Sequence, residues 1–268
     1  MGKFKEGYPL LSIVTVSYNE VNTIEQTINS VLGQDYENFE YIIIDGCSND
    51  GTIEIIENYS DRLSYWVSES DRNLYHGINK GLSQCNGDII GIIHANDYYR
   101  NGVFMNVSKI FMSDDVDAIY SDCLIINNNG INYVNSVQDH LFEENMINHS
   151  TFFVAKRVYD KIGFFNIKYS VSADYDFALR IYHDNRFIIK YIEGECFAAH
   201  RLGGRESREY WMEHNPFMWL KVLNDYNLIK YKYGHLGIMR YSINLLRGIV
   251  VLILIKIGLK NAQNHCKK

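Results

Sequence analysis

Tyr41-Ile42-Ile43-Ile44-Asp45-Gly46-Cys47-Ser48-Asn49-Asp50-Gly51-Thr52 decides the fold class of this chain. An apolar run of strand length ends in a carboxylate, and a short polar loop follows. Ile89-Ile90-Gly91-Ile92-Ile93-His94-Ala95-Asn96-Asp97 repeats the arrangement. Both runs read as buried strands with an acid at the carboxyl end. In open α/β sheets that edge is where ligands bind. A carboxylate there can accept hydrogen bonds from a nucleobase or ribose, or hold a hard divalent cation beside phosphates. The pair points to an enzyme that handles a nucleoside diphosphate.

The flanking sequence supports that frame. Leu10-Leu11-Ser12-Ile13-Val14-Thr15-Val16 reads as a buried first strand ending in the polar turn Ser17-Tyr18-Asn19-Glu20. Asn22 or Thr23 can cap a helix through Leu32, with Ile24, Ile28, Val31 and Leu32 on one face. Further strands are expected over 39–44, 63–67 and 88–93, and helices over 52–59 and 75–85. Strands alternating with short helices imply an α/β fold with a mainly parallel central sheet flanked by helices. The later half is less regular. Strands are expected over 118–126 and 150–155, a turn at 127–130, and helices over 173–183, 208–223 and 236–260.

Length and composition set bounds. The chain's 268 residues suffice for one large α/β domain, or one domain with an appendage. Cysteines at 47, 85, 123, 196 and 266 form no Cys-x-x-Cys pair, which argues against a zinc site and a disulfide framework. A reducing, cytoplasmic compartment fits. Lys3, Lys5 and Glu6 lead into a strand-like run, so no signal peptide is expected. No nucleic-acid partner is expected either. From Trp219 onward nine basic residues face a single acid, Asp225, a balance of +8 that leaves −14 for residues 1–218. An acidic body with a basic, apolar tail suggests attraction to an anionic membrane surface. Within the tail, Gly248–Ile255 is uninterrupted apolar sequence between Arg247 and Lys256. A spanning helix needs ~20 apolar residues, so this run is too short to cross. It reads either as a helix lying in the membrane interface or as a core or homodimer helix.

Several ordered motifs carry a family resemblance. They are Ser12-Ile13-Val14-Thr15-Val16-Ser17-Tyr18-Asn19, Asp45-Gly46 with Asp50-Gly51-Thr52, Glu69-Ser70-Asp71 with Asn79-Lys80-Gly81, Gly87-Asp88 with Asn96-Asp97, and Ser172-Ala173-Asp174-Tyr175-Asp176. From about Leu10 to about Ser207 the chain resembles the inverting family 2 glycosyltransferases of bacterial surface-polysaccharide assembly. The resemblance implies the glycosyltransferase A fold in a catalytic domain over 1–208. Residues about 8–100 would form the nucleotide-sugar half and about 101–208 the acceptor half. Residues 209–268 would then be the basic, apolar helical tail.

The resemblance also implies roles. Thr15, Ser17 and Tyr18 are candidates for base contacts, with Tyr18 placed to stack on a uracil. Asp45 is the candidate acceptor for a uracil N–H, and Asp50 a cap for the following helix. Asp71 resembles a nucleoside contact, Arg72 a phosphate contact, and Asn79 and Lys80 lie on the helix that borders the donor sugar. Related sequences read Tyr-Asp-Ala-Met-Asn-Lys-Gly where this chain has Tyr75-His76-Gly77-Ile78-Asn79-Lys80-Gly81, so His76 replaces an acid. Either donor preference changes with it or it is an exposed helix residue. Asn96-Asp97 stands where the family has a metal-binding acidic pair. Asp97 is the candidate ligand of Mg2+ or Mn2+, and Asn96 a partner for a ribose hydroxyl. Asp174 is the candidate general base that deprotonates the acceptor hydroxyl. His149 borders the acceptor or the pyrophosphate. Arg201 and Arg205, in a Gly-Gly loop, are candidates to neutralise the diphosphate.

The expectation is therefore a metal-dependent, inverting sugar transferase at the cytoplasmic face of the inner membrane. Its donor would be a UDP-sugar and its acceptor a saccharide on polyprenyl diphosphate, as in O-antigen or capsule assembly. The rival reading, motivated by His76 and Asn96, is a noncatalytic nucleotide-sugar binding protein of the same fold.

Overall fold

A computed structural model describes residues 7–126, 132–135, 147–169, 172–202 and 216–235, together with 242 and 244. The chain divides into two compact units, Met1–Leu202 and Gly203–Lys268.

In the first unit the apolar runs form β1 (Leu11–Ser17), β2 (Phe39–Asp45), β3 (Tyr65–Ser68) and β4 (Ile89–His94). Every residue of β1 and β4 is buried, as expected of strands covered on both faces. β1 lies between β2 and β4, parallel to both, and β3 extends the parallel set beyond β2. Helices α1 (Ile24–Leu32), α2 (Thr52–Glu57) and α3 (Leu74–Gln84) connect these strands. α1 buries Ile24, Thr27, Ile28 and Val31, the 3–4 spacing of one helix face. α3 approaches the sheet closely at Gly81, where a Cβ would lie 2.4 Å from Val14 Cγ1.

Beyond β4 the sheet changes character. β5 (Tyr98–Tyr99), α4 (Val103–Ser113), β6 (Ala118–Ile126), β7 (Asn132–Asn135), β8 (Phe153–Ala155), α5 (Lys156–Ile162), α6 (Ala173–Tyr182) and β9 (Ile189–Arg201) follow in order. The strand order is β3-β2-β1-β4-β8-β6-β9-β5, with β7 on β6. β8 runs antiparallel to both β4 and β6, β7 antiparallel to β6, and β5 antiparallel to β9, while β6 and β9 are parallel. The sheet is thus mixed, and the expectation of a mainly parallel one holds only as far as β4. A parallel neighbour needs a crossover of a dozen or more residues. Beyond β4 the short connections around β5, β7 and β8 give antiparallel pairs, and among the described strands there only β6 and β9, with α5 and α6 between them in the chain, pair in parallel.

β9 had no counterpart in the sequence reading. Its register against β6 jumps between Ser121 and Asp122, where Ile192 and then Cys196 are the partners. The extra residues include Gly194 at φ +78°, so the alternation is broken where a strand would be read. The run expected as a strand from Ser150 begins as a 3-10 turn, His149–Thr151, before β8.

The second unit contains α7 (Pro216–Lys232), later than the helix expected over 208–223. Gly248–Ile255, the expected turn at 127–130, Arg205 and Cys266 lie outside the described residues. Among the described residues no helix is long and apolar enough to cross a membrane.

Candidate active site

The parallel strands end together. Ser68 of β3 pairs in register with Asp45 of β2, and Asp45 with Ser17 of β1; Val16 of β1 pairs with His94 of β4. From β1 the chain winds outward to β2 and β3, then returns to β4 on the other side. The switch point between β1 and β4 opens a crevice at the carboxyl edge, the general place for ligands in such sheets.

On the β1–β2 side the loop after β2 is held from within. Asp45 is fully buried. Its Oδ2 accepts from Ser48 N at 2.9 Å and Ser68 Oγ at 2.6 Å, and its Oδ1 accepts from Ser48 Oγ at 2.5 Å. The carboxylate therefore faces the loop. Thr15 is also fully buried and exchanges a hydrogen bond with Tyr41 Oη at 2.9 Å, two residues short of the edge. Ser17 Oγ is buried without a hydrogen-bond partner among the described residues, and Tyr18 stands about half exposed beside it. The N-cap of α2 is Gly51 rather than Asp50; Asp50, one residue earlier, accepts from Thr52 N at 3.1 Å.

The loop before α3 carries a cluster of charges. Asp71 Oδ1 meets His76 Nδ1 at 2.8 Å and Lys80 Nζ at 2.7 Å; Lys80 also meets Glu69 at 2.8 Å. His76 thus serves as a second hydrogen-bonding partner for Asp71. Arg72 is exposed. Asn79 is committed elsewhere: its side-chain amide pairs with both backbone groups of Phe165, at 2.9 and 3.0 Å.

Across the switch point, Asp97 is the hub. It is 1% exposed. Oδ1 meets His200 Nδ1 at 2.9 Å, with Arg201 N at 3.4 Å. Oδ2 accepts from Ser150 Oγ and lies 3.7 Å from His149 Nε2. Burial alone would push this carboxyl up, but the His200 ring and the Ser150 hydroxyl hold it below the usual range. His94 stacks on His149 with ring centroids 3.7 Å apart. Burial pushes His94 down to about 3 and His149 well below its ordinary value, so both are neutral near pH 7. Asn96 stitches β4 to β9, its Nδ2 donating to Arg201 O at 3.3 Å while its own carbonyl accepts from Arg201 Nη1 at 3.3 Å. Arg201 also reaches Gln26 Oε1 and lies over the Tyr98 ring.

Among the described residues no group of three His, Cys, Asp or Glu side chains is arranged to hold a metal ion by itself. The donor set still suits a divalent cation carried in by a diphosphate. An ionised carboxylate and an imidazole nitrogen converge at Asp97 and His200, and octahedral Mg2+ or Mn2+ needs few protein ligands when phosphates supply others.

A narrow cleft lies on the far side of His149. It is lined by His149, Phe152, Tyr159, Phe165, Phe177 and Asp174 among others, and holds a volume of about 20 Å3, room for one water. Asp174 opens α6 and accepts at Oδ1 from Tyr75 Oη at 2.8 Å and Tyr175 N at 2.9 Å. Burial pushes its carboxyl up to about 6, against the pull of those two donors. Asp176 points elsewhere, to Arg180 Nε at 3.0 Å. His149 therefore joins the two acids, near Asp97 by one ring edge and lining the cleft with Asp174.

The sequence reading did not assign His94, Ser150, His200 or Tyr75 to these contacts. Each adjoins a quoted motif, but no spacing rule ties residues 149–150 and 200 to residue 97.

Comparison with known proteins gives one consistent family. The model for Glycosyl transferase family 2 matches residues 12–173. An uncharacterised glycosyltransferase of Mycobacterium tuberculosis is 26% identical over 183 residues, covering 64% of this chain and 68% of its own length. The putative teichuronic acid biosynthesis glycosyltransferase TuaG of Bacillus subtilis is 34% identical over 95 residues, 34% of this chain and 38% of that protein. Two solved structures share the fold. TarS of S. aureus in complex with UDP-GlcNAc aligns at TM-score 0.63 and 18% identity, over 89% of this chain and 71% of that one. The mannosyltransferase PcManGT of Pyrobaculum calidifontis, in complex with GDP-Man and Mn2+, aligns at 0.65 and 14%, over 94% and 76%. The α/β fold is thus glycosyltransferase A-like.

Proposed function

The chain belongs to glycosyltransferase family 2, and from that premise we propose that it transfers a sugar, with inversion, from a nucleoside diphosphate to an acceptor hydroxyl. The observation that carries this reading is geometric: His149 lies 3.7 Å from Asp97 and lines the cleft that holds Asp174, so two unlike acids flank one site. Asp97 is held below the usual carboxylate range, and Asp174 is pushed up to about 6.

The two acids divide the work. Asp97 and His200 would hold Mg2+ or Mn2+, which offsets charge on the departing diphosphate. Asp174 takes the proton from the acceptor hydroxyl during attack, and a pKa near the working pH suits a general base. The aromatic lining around it limits access of bulk water, which favours a sugar hydroxyl over hydrolysis. Ser17 Oγ, buried without a partner among the described residues, is a polar group available on the donor side; Tyr18 offers a ring face to the base. Asp45 and Asn79 act indirectly, one by fixing the loop after β2 and the other by fixing the loop at Phe165. Asp71, Lys80, Arg72 and Arg201 complete the donor side.

UDP-sugar is the proposed donor and a growing surface saccharide the proposed acceptor. Solved relatives of the same fold carry UDP-GlcNAc or GDP-Man, and a curated relative is assigned to teichuronic acid biosynthesis. The basic tail supports an acceptor on polyprenyl diphosphate and peripheral contact with the cytoplasmic face of the membrane.

The test pairs binding with turnover. Asp174→Asn should bind UDP with Mn2+ as the wild type does, by calorimetry, while transfer falls about 10²–10⁴-fold. Asp97→Asn should lose the Mn2+-dependent part of UDP binding. Transfer at the wild-type rate by Asp174→Asn removes the reading.

A further inference from the structure

We propose that Tyr75 is a positioning residue for the base, the last member of a latch that runs from Asn79 through Phe165 to one oxygen of Asp174. The inference rests on the reading of Asp174 as general base.

α3 carries both ends of the latch. Tyr75 and Asn79 are four residues apart and so lie on the same helix face. Asn79 grips the Phe165 backbone with its amide nitrogen and oxygen, at 2.9 and 3.0 Å. The Phe165 ring stacks on Tyr75, with centroids 5.6 Å apart and planes 28° apart. Phe165 also packs on Phe177 of α6 at 4.8 Å, and α6 is the helix that presents Asp174. The Tyr75 ring is 3% exposed and has little freedom to turn. Its hydroxyl donates to Asp174 Oδ1 at 2.8 Å. Tyr175 N donates to the same oxygen. With both donors on Oδ1, the carboxylate plane is fixed and Oδ2 is assigned to the acceptor proton.

The donor never changes sign. Burial and the neighbouring Asp174 charge keep the Tyr75 phenol well above its ordinary pKa, so it remains protonated wherever the enzyme works. A donor to the ionised form lowers a carboxyl pKa. Burial drives Asp174 upward and Tyr75 limits the rise. The other groups facing Asp174 are the neutral His149 ring from the 3-10 turn, Tyr159 of α5, and the backbone amides of α6.

The test is the pH dependence of kcat/KM in wild type and Tyr75→Phe, which keeps the ring and removes the hydroxyl. The acid limb is expected to move up by about one pH unit. That shift cuts the rate about fivefold at pH 6, with recovery by pH 9, where the base is ionised in both proteins. Phe165→Leu keeps the phenol but removes the ring that holds it, and should move the limb the same way by less. An unmoved limb in Tyr75→Phe overturns the latch. Should that variant fail to fold, an unmoved limb in Phe165→Leu overturns it instead. Asp174→Asn measured alongside separates the two ideas: wild-type turnover there sinks the base assignment, whereas an inactive Asp174→Asn with an unmoved limb sinks the latch alone.

Discussion

Replacing Asp174 by asparagine also tests the site through the folding equilibrium. An aspartate of ordinary pKa 3.8 is pushed up to about 6 by burial at this position. That gap corresponds to about 3 kcal/mol that the native state gives up when the group ionises. The sign follows from linkage. The native pKa lies above the unfolded one, so the native state binds the extra proton between about pH 4 and pH 6. Stability falls as pH rises through that window, and the full cost is present above about pH 6. Asparagine keeps an Oδ1 acceptor for Tyr75 and Tyr175 N but carries no charge. Asp174→Asn should therefore be more stable than wild type at pH 7.5 by about 2–3 kcal/mol, after allowing for weaker hydrogen bonds to a neutral acceptor. The advantage should vanish near pH 4, where the wild-type group is protonated in both states. Urea titrations at pH 4, 5, 6 and 7.5 read it directly, as a midpoint shift at unchanged slope. Melting should rise by about 4–12 °C at pH 7.5. Equal stability at pH 7.5, or a gain that persists at pH 4, would refute the claim that burial of an ionisable base is what shapes this pocket. A group held at a cost to the fold is what a poised catalytic acid or base looks like.

Arg180→Ala should destabilise by about 3–5 kcal/mol, because it takes the guanidinium away from the buried Asp176 carboxylate and removes bonds to Ile162 O and Phe164 O, each at 2.7 Å. A urea midpoint within error of wild type counts against that. Gly81→Ala should cost about 1–3 kcal/mol by overpacking against Val14, a residue too stiff to give way, and a loss below that range on denaturation would show that α3 can move off the sheet. His76→Asp introduces the acid that the family resemblance implies at this position but faces it with Asp71. It should lower stability by about 0.5–1 kcal/mol and more at low salt, and a salt-independent effect would mean that charge is not the cause.

The sequence made the parallel half of the sheet legible for a specific reason. Strands buried on both faces are written as continuous apolar runs, and β1, β2 and β4 are such runs. The boundaries of β6 (Ala118–Ile126) were read directly from a similar run. α4, α5, β5 and β7 went unassigned. β9 was hidden by its own bulge, since Gly194 and the flanking Glu193 and Glu195 interrupt any alternation. Candidate site residues are legible where a carboxylate coincides with a strand or helix end, as at Asp97 and Asp174. What such residues meet is not written there: Asp45 bonds Ser48 and Ser68, Thr15 bonds Tyr41, and Asn79 bonds Phe165.

By itself the sequence determined which residues bear charge at the carboxyl ends of β2 and β4 and at the start of α6, because strand periodicity and helix starts are local properties. Only the tertiary structure decided what those charges meet. Ser150 reaches Asp97 across 53 residues, His200 across 103, and Tyr75 reaches Asp174 across 99. The state of a carboxylate depends on its burial and on the donors within hydrogen-bond reach. Here those donors come from distant segments, brought in by the sheet order that sets β8 and β9 beyond β4.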